Sequence, residues 1–538
     1  MRFILWLLIM GLTGAAAGQD TSYPVNAIPD SLKQGAGAVV RLANITYTID
    51  NLHKVTFACE KTVSILNKAS NNLAVITLYY DDDINIKNFR ATLFDADGRE
   101  IKSYGEKDGE DLPDIENALT NMANSTRKRR WDLRQDKVPY TVQYSYQLVC
   151  RNTDQMNFWN SYEGGNVSVE EETFKVVCNK GIDINFTEEL VHNTSAVPGT
   201  YLWTVKNQCS FSKGDSTQMV EKGLPLVGVM MKKFSYHNIP ASADSWNDLG
   251  AFNYSLIKGR DELGETGDRV LDSIFNSGMG KVDKIKALYK YLQANFRFVE
   301  ITHGIGGWQP AEAEVTFKRK YGDCKGLVML MKALLKKAGI ESYYSIVESG
   351  WRPREQKEDF PNLAFNHSIL CVPVNTDTIW LECTNNSMPF NYLGYFTGSR
   401  RALLVYDNGG RLINTPVYNE TVNTCCINAT ISANNDVNEV KASVAERGIL
   451  QDWLNAVVNM KDKKMIEAQV YSNMYIHNSF LDYCNFRPLN RDSAVISFDV
   501  SFSNENIIRN TGQRIFIKTN IMTPLYQDVE TSGNLVLP

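Results

Sequence analysis

Cys324 stands between an acid and a lysine at the start of a helix-like repeat, in the segment YGDCKGLVMLMKALLKKAGI (321–340). The repeat ends at Gly339 and places apolar residues at Leu327, Leu330, Met331, Leu334 and Leu335. We predict a helix with Asp323 as its N-cap and Cys324 in its first turn. A thiol there faces unpaired backbone N–H groups and the positive end of the helix dipole, which stabilise the thiolate. The pattern indicates a nucleophile; the plainer alternative is a cysteine that fills a small core site.

Two residues further along the chain have side chains that could act on this thiol. His367, one of six histidines, opens the strand-like segment HSILCVPV, and Glu382 follows the next one, TIWL. If 367–373 and 378–384 form a hairpin, the imidazole and the carboxylate lie side by side on adjacent strands. A carboxylate bonded to one ring nitrogen fixes the tautomer, and the other nitrogen can then take the thiol proton. This chain order is typical of cysteine proteases; the alternative for Glu382 is a surface carboxylate on a strand.

The elements that must position these residues form a mixed domain. A helix is predicted in VDKIKALYKYLQANFRF (282–298), where Ile285, Leu288, Leu292 and Phe296 recur at helical intervals. The cysteine helix follows, and strands are predicted in SYYSIV, HSILCVPV and TIWLECT. Helices followed by strands favour an α+β core, which we place at 261–412.

Two flanking regions are predicted to be mostly β. Apolar side chains alternate along YTVQYSYQLVC (140–150) and similar segments, which predicts an antiparallel β-sandwich at 19–260. A smaller, mostly β domain is expected at 413–538, with clean alternation in AVISFDVSF (494–502). That domain also carries a helical candidate, LQDWLNAVVNMKDKKMIEAQVYSNM (450–474). The whole is therefore expected to be an α+β multidomain protein, in keeping with a length of 538 residues.

The N-terminal segment 1–18 has the pattern of a cleavable signal peptide. Arg2 precedes an apolar run from Phe3 to Leu12, and small residues follow at Ala15 to Ala17. This predicts a secreted or periplasmic protein. No later segment approaches the ~20 uninterrupted apolar residues of a membrane span, so no span is expected.

Charge and cysteine usage exclude several classes of function. The chain has 56 basic and 61 acidic residues, for a net charge of −5, which argues against a nucleic-acid partner. Its one basic cluster, 125–137, is interrupted by Asp132 and Asp136 and is predicted to be a solvated loop. The ten cysteines are too dispersed for a disulfide scaffold. No CxxC or HExxH string occurs, and neither a metal nor a cofactor is expected.

Around Cys324, His367 and Glu382 the sequence resembles the transglutaminase-like superfamily, a papain-related group. It resembles in particular secreted bacterial members with an uncharacterised β domain before the core. The matching pieces are GGWQPAEAEVTFKRKYGDCKG, FNHSILCVPV, IWLECT and the later GSRRALLVYDNGGRLINTP, which looks like the segment that closes the core. The resemblance implies that Cys324 is the nucleophile and His367 the general base and acid. Glu382 stands where the family usually carries an aspartate.

Two positions depart from the family pattern. Glutamate in place of aspartate keeps the charge of Glu382 but adds a methylene, which loosens the contact with the histidine or shifts the strand. Many relatives also carry an aspartate where this chain has Gly326, a change expected at the polar edge of the helix.

Acyl transfer also needs donors for a developing oxyanion. The backbone N–H of Cys324 is one natural choice, and the side-chain amide of Gln309 or the indole N–H of Trp308 is the second. The alternative for the latter two is a turn that packs one aromatic ring. His303 is close enough in sequence to line the same cleft, whereas the other histidines are expected to be structural.

The leading hypothesis is a secreted transglutaminase-like cysteine enzyme, a peptidase or amidase, that cleaves an amide through a thioester on Cys324. Its expected partner is a peptide or protein amide, with cell-envelope peptides among the candidates. Two alternatives stay open: a transamidase that crosslinks proteins, and a catalytically silent envelope module for binding or assembly.

Overall fold

The computed structural model describes residues 23–517 except 115–125, 155–157, 163, 165, 212–222, 302, 351–352, 435–436, 459–461, 474–478, 488–491 and 505–506. The protein is multidomain and of the α+β class, as predicted, with a β-rich N-terminal region, a mixed centre and a β-rich C-terminal region. The predicted signal segment, 1–18, lies outside the described residues. None of the described helices combines the length and the apolar composition of a membrane span.

The N-terminal region is built on a seven-stranded sheet. Its strands, in spatial order, are Thr200–Gln208, Val167–Cys178, Ala38–Asn51, Lys54–Ile65, Tyr140–Cys150, Ile84–Phe94 and Glu100–Gly105. The alternation predicted around Tyr140 is confirmed, since Tyr140 and Val142 are buried in the core of this region. One pair departs from the antiparallel prediction, because Ala38–Asn51 runs parallel to Val167–Cys178. Side chains alternate in both kinds of pair, so the alternation does not reveal strand direction.

Smaller elements complete the N-terminal region. One three-stranded sheet consists of Val75–Tyr80, Arg127–Asp132 and Glu110–Pro113, and a second of Ile184–Glu189, Leu226–Met231 and Phe158–Asn160. A hairpin joins Lys233–Tyr236 to Ile239–Ser242. Short helical segments lie at Val25–Ala27, Asp30–Lys33, Lys68–Ala74 and Glu106–Asp108.

Residues 127–132 of the basic cluster form a strand, so the prediction of a loop was wrong for this part of it. Within Arg127–Asp132, Trp131 is buried and stacks on Phe89 with ring centroids 3.6 Å apart. Arg127 pairs with Asp111 across the small sheet at 3.0 Å. The buried indole anchors this segment as a strand, and acids on neighbouring elements balance part of its charge.

The central region packs the cysteine helix, Cys324–Lys337, against a five-stranded antiparallel sheet. The strands, in spatial order, are Asp377–Leu381, His367–Val374, Tyr343–Val347, Arg401–Tyr406 and Gly409–Asn414. The other helices are Trp246–Ile257, Glu265–Ile274, Lys281–Asn295, Ala313–Arg319, Gly394–Thr397 and the single turn Gly304–Gly307. Arg297–Phe298 and Tyr321–Gly322 form a two-residue parallel pair. The predicted hairpin is confirmed, with Leu370 opposite Leu381.

One hydrophobic core extends from the N-terminal sheets into the central region. Phe174 and Trp203 belong to the same buried cluster as Leu327 of the cysteine helix. The helix Trp246–Ile257 packs so closely on the last hairpin of the central sheet that Gly250 has no room for a Cβ atom against Gly410. We therefore propose that the central domain begins at this helix, upstream of the predicted boundary at 261.

The C-terminal region has a four-stranded sheet and its own core. Its strands, in spatial order, are Cys425–Asn434, Val437–Arg447, Val495–Asn504 and Ser479–Phe486, and a hairpin joins Ile508–Thr511 to Arg514–Ile517. The helical candidate is confirmed as Asp452–Val458 and Lys463–Asn473, with a short turn at Gly448–Gln451 before them. The alternation in 494–502 is confirmed as well, because Ile496, Phe498, Val500 and Phe502 are buried together.

Candidate active site

The cysteine helix begins at Cys324, in the geometry that its sequence predicts. The carboxylate of Asp323 accepts the backbone N–H of Gly326 at 2.8 Å and caps the first turn. The chain enters through Tyr321–Gly322, which is held by its pairing with Arg297–Phe298. Backbone N–H groups in a first turn have no acceptor within the helix, so the Cys324 thiol lies where an anion is favoured.

The glycine at position 326 has a local packing reason. A Cβ atom there would lie 3.1 Å from Oγ1 of Thr316 and 3.3 Å from the capping oxygen of Asp323. Both contacts are tight, so a side chain at this position would push against the cap. The departure from the family pattern therefore fits the close approach of Thr316.

Packing fixes the cysteine helix firmly. Leu327, Leu330 and Leu334 are each at most 1% exposed. Burial of such a side chain contributes roughly 1.5–3 kcal/mol, which makes the helix a rigid support for the thiol.

His367 and Glu382 meet across the hairpin. The Nε2 atom of His367 lies 3.0 Å from Oε2 and 3.2 Å from Oε1 of Glu382. The register that sets Leu370 opposite Leu381 puts His367 and Glu382 on one face, diagonally offset, and the longer glutamate side chain spans that offset. Thr384 fixes the carboxylate by donating its backbone N–H at 3.0 Å and its hydroxyl at 2.6 Å to Oε1.

The imidazole is enclosed on its other sides. His367 and Glu382 are 9% and 1% exposed. The ring of Phe396 packs edge-on against the imidazole, with centroids 5.4 Å apart. The Cys324 thiol lines the same cleft, close enough to the imidazole for His367 to lower the pKa of the thiol. Because Nε2 faces Glu382, we assign the contact with the thiol to Nδ1.

The charges in this group reinforce one another. Burial alone would raise the pKa of the Cys324 thiol, but the hydrogen bond and charge of His367, with a contribution from Lys325, hold that pKa below its ordinary value. Burial would lower the pKa of His367, yet Glu382 and the thiol raise it to about 10. The pKa of Glu382 is lowered against its burial by His367 and Thr384. The arrangement favours a thiolate, an imidazolium and a carboxylate in contact.

A cleft of about 430 Å³ opens in front of the thiol. The central region contributes Cys324 and His367 to its lining, and the N-terminal region contributes a second wall. That second wall includes Asp81, Asp83, Ile84, Cys150, Asn152 and Asp154. Sequence reasoning missed these residues, because nothing in their spacing connects them with a cysteine so far along the chain.

The two oxyanion candidates occupy different positions. Trp308 lines the cleft, but its indole N–H donates to Oδ2 of Asp154 at 3.2 Å. Gln309 is not among the residues that line the cleft, and its backbone N–H closes the turn onto the carbonyl of Ile305 at 2.9 Å. The third candidate donor, the backbone N–H of Cys324, lies in the first turn of the helix.

The histidine that joins His367 at the cleft is His237, which we had expected to be structural. It lines the cleft, and its Nε2 lies 3.4 Å from Oδ2 of Asp83. His303, the residue predicted to approach the cleft, is exposed and outside the lining. His237 lies in the turn of a hairpin, and sequence alone does not show where that turn points.

The family comparison agrees with this geometry. Residues 268–383, which include Cys324, His367 and Glu382, match the model of the transglutaminase-like superfamily. The centre of this chain is a transglutaminase-like domain. Residues 53–211, in the N-terminal region, match a domain of unknown function, DUF3857. The cleft therefore lies between a transglutaminase-like domain and a domain without an assigned role.

A solved structure resembles the chain in fold. A candidate protease from Parabacteroides distasonis matches with a TM-score of 0.56 and 10% identity, over 87% of this chain and 94% of that one. An M1 zinc metallopeptidase from Deinococcus radiodurans matches with a TM-score of only 0.20 and 9% identity, over 48% of this chain and 53% of its own, and carries no argument. Among curated proteins the sequence has no match.

Proposed function

We propose that this protein is a cysteine enzyme that hydrolyses amide bonds in a peptide or protein. Cys324 is the nucleophile, His367 the general acid and base, and Glu382 the residue that orients the imidazole. The observation that carries the proposal is the buried chain of contacts from the thiol through His367 to Glu382. The match to the transglutaminase-like superfamily and the likeness in fold to a candidate protease support it.

The reaction follows from where the protons lie. The Cys324 thiolate attacks the amide carbonyl, and the oxygen takes up the negative charge near the start of the helix, where the backbone N–H of Cys324 can donate to it. The imidazolium of His367 then gives its Nδ1 proton to the nitrogen as the C–N bond breaks, and the amine leaves. A thioester remains on Cys324. His367, now neutral, takes a proton from water, which attacks the thioester, releases the acid and restores the thiol pair.

The first experiment measures the reactivity of Cys324 towards iodoacetamide as a function of pH, by peptide mass spectrometry. A thiolate paired with an imidazolium alkylates rapidly near about pH 6, well below the range of a free thiol. Replacement of His367 by alanine should remove this reactivity. His192→Ala is the matched control, because His192 is exposed and its Nδ1 lies 3.0 Å from Oε1 of Glu188, away from the cleft lining.

Either outcome decides the matter. Rapid alkylation at low pH that depends on His367 but not on His192 supports catalysis, and the exposed thiol of Cys209 provides an internal reference in the same digest. Alkylation of Cys324 only at alkaline pH, or equal rates in the wild type and His367→Ala, would contradict the proposal. The alternative of a catalytically silent binding module would then stand. Release of a free carboxylic acid, rather than a new amide with an added amine, then separates hydrolysis from transamidation.

We further propose that 1–18 is removed as a secretion signal, so that the enzyme acts outside the cytoplasm. The sequence pattern of this segment supports it. N-terminal sequencing of the mature protein tests the idea, and an intact Met1 on the exported protein would contradict it.

A further inference from the structure

The cleft beside Cys324 has an acidic wall, formed by Asp81, Asp83 and Asp154 of the N-terminal region and Glu300 of the central region. The three aspartates line the cleft together with Cys150, and after the larger effect of burial each of them contributes to the raised pKa of its thiol. This clustering is electrostatically unfavourable unless a positive charge lies between them.

The basic side chains near the acidic wall already have partners among the described residues. His237 contacts Asp83, at 3.4 Å. Lys325 is buried in an ion pair with Asp323 and lies near Glu300. Within the described part of the chain, no salt bridge is formed by Asp81 or Asp154. Oδ1 of Asp81 accepts the backbone N–H groups of Asp83 at 2.8 Å and Ile84 at 2.9 Å, which orient its carboxylate without supplying a formal charge.

Asp154 differs from an ordinary surface acid because its side chain is buried. It is 6% exposed, and its Oδ2 is held by the indole of Trp308. Its Oδ1 is buried and has no hydrogen-bond partner among the described residues. Such an oxygen is costly in a folded protein, and a positive charge close to Asp154 would offset part of that cost. Burial, with repulsion from Asp83, also raises the pKa of Asp154 to about 6, so a nearby cation would stabilise its charged form.

We propose that the acidic wall binds a protonated primary amine on the peptide whose amide bond lies against Cys324. The positive charge of an ammonium group in the cleft offsets the clustered carboxylates, including the buried carboxylate of Asp154. The amine belongs either to a lysine side chain or to a free N-terminus. This inference rests on the proposed function of Cys324, and it makes the N-terminal region the part of the enzyme that selects the substrate.

The test compares two alkylating probes on the full-length protein, aminopentyl chloroacetamide and its neutral isostere hexyl chloroacetamide. In both, the Cys324 sulfur forms a bond to the methylene carbon and chloride leaves. We expect the cationic probe to react about tenfold faster, the effect of one well-placed ion pair. The preference should fall towards unity in Asp154→Asn, which keeps an oxygen for Trp308, and should shrink in Asp81→Asn. Asp82→Asn is the control, because Asp82 is exposed and outside the cleft.

The outcomes separate the two proposals. If neither probe labels Cys324 near neutral pH, the proposed function fails. If hexyl chloroacetamide labels it in a His367-dependent manner but the cationic probe has no advantage, the acidic wall is not an amine site and this inference alone is overturned. An unchanged rate for the neutral probe in Asp154→Asn shows that the variant is folded.

A second probe pair identifies the source of the amine. Alanyl-aminoethyl chloroacetamide presents a free α-amine, and its N-acetyl form does not. A preference for the free form that Asp154→Asn abolishes assigns the wall to peptide N-termini. A preference confined to the aminopentyl probe assigns it to lysine side chains.

Discussion

At the scale of single residues, the glutamate at position 382 is compatible with a working site. The extra methylene is accommodated by the diagonal offset between the two strands, and both carboxylate oxygens lie within 3.2 Å of the imidazole. Thr384 holds Oε1 through two donors. The departure from the usual aspartate therefore changes how the carboxylate reaches the histidine, while the charge stays beside the ring.

The pH profile of amide hydrolysis should reflect these charges. The imidazolium must protonate the leaving amine, so activity falls as pH rises through about 10, the pKa of His367. On the acid side, activity falls below the lowered pKa of Cys324. Glu382→Gln removes the charge that supports the imidazolium, and we expect the alkaline limb to move to lower pH with a loss in kcat on the order of 10²–10⁴-fold.

Glu382→Asp is the matched control, because it keeps the charge but shortens the reach. It should retain the alkaline limb closer to its original position while losing part of the rate. An alkaline limb that does not move in Glu382→Gln would mean that this carboxylate does not support the histidine. The measurement is kcat and kcat/KM across pH on one amide substrate.

At the scale of elements, local patterns predicted the parts that hold the catalytic candidates. The helix that starts at Cys324 and the hairpin of His367 follow from periodicity and capping, which act over a few residues. The acidic wall could not be predicted in this way, because Asp154 and Trp308 touch although they are 154 residues apart in sequence. The strand at Trp131 could not be predicted either. Its sequence is mostly charged, and only the structure shows that the ring of Trp131 is buried.

The N-cap of the cysteine helix should matter for stability more than for reactivity. Asp323→Ala removes the bond to Gly326 and the partner of the buried Lys325, so we expect the free energy of unfolding to fall by about 1–3 kcal/mol. The charge of Asp323 raises the pKa of Cys324, so its removal should leave alkylation near pH 6 intact. Chemical denaturation and the iodoacetamide assay measure the two effects.

Asp323→Asn provides the comparison, because it keeps an oxygen to accept from Gly326 but loses the charge. Its stability should lie between those of the wild type and Asp323→Ala. Loss of low-pH alkylation in a folded Asp323→Ala protein would show that the residue has a direct part in activating the thiol.

At the scale of the whole molecule, two of the hydrophobic cores in the described residues differ in which regions they join. The larger one joins the N-terminal sheets to the transglutaminase-like domain, whereas the C-terminal sheet buries its own cluster. Contacts between the C-terminal region and the centre include Asp452, which accepts the hydroxyl of Tyr392 at 2.7 Å, and Asp492, which pairs with Lys290 at 2.9 Å. The shared core ties the stability of the thiol site to the N-terminal region.

Equivalent substitutions in the two cores should therefore behave differently. Phe174→Ala removes a ring stacked between Trp159 and Trp203, and Phe498→Ala removes one from the C-terminal core. Each should cost about 3–5 kcal/mol locally. Only Phe174→Ala should lower the temperature at which Cys324 loses its low-pH reactivity, as measured by alkylation during a calorimetric scan. The same temperature shift in both variants would contradict this division.

Because the cleft is lined by two separate regions of the chain, the two sides of the cleft can be altered independently. If the N-terminal wall selects the substrate, as we propose, the segment 81–84 can vary without disturbing the helix that carries Cys324. A laboratory selection for altered substrate specificity would therefore randomise that segment first. Transfer of the same segment from a relative would be expected to transfer the substrate specificity of that relative.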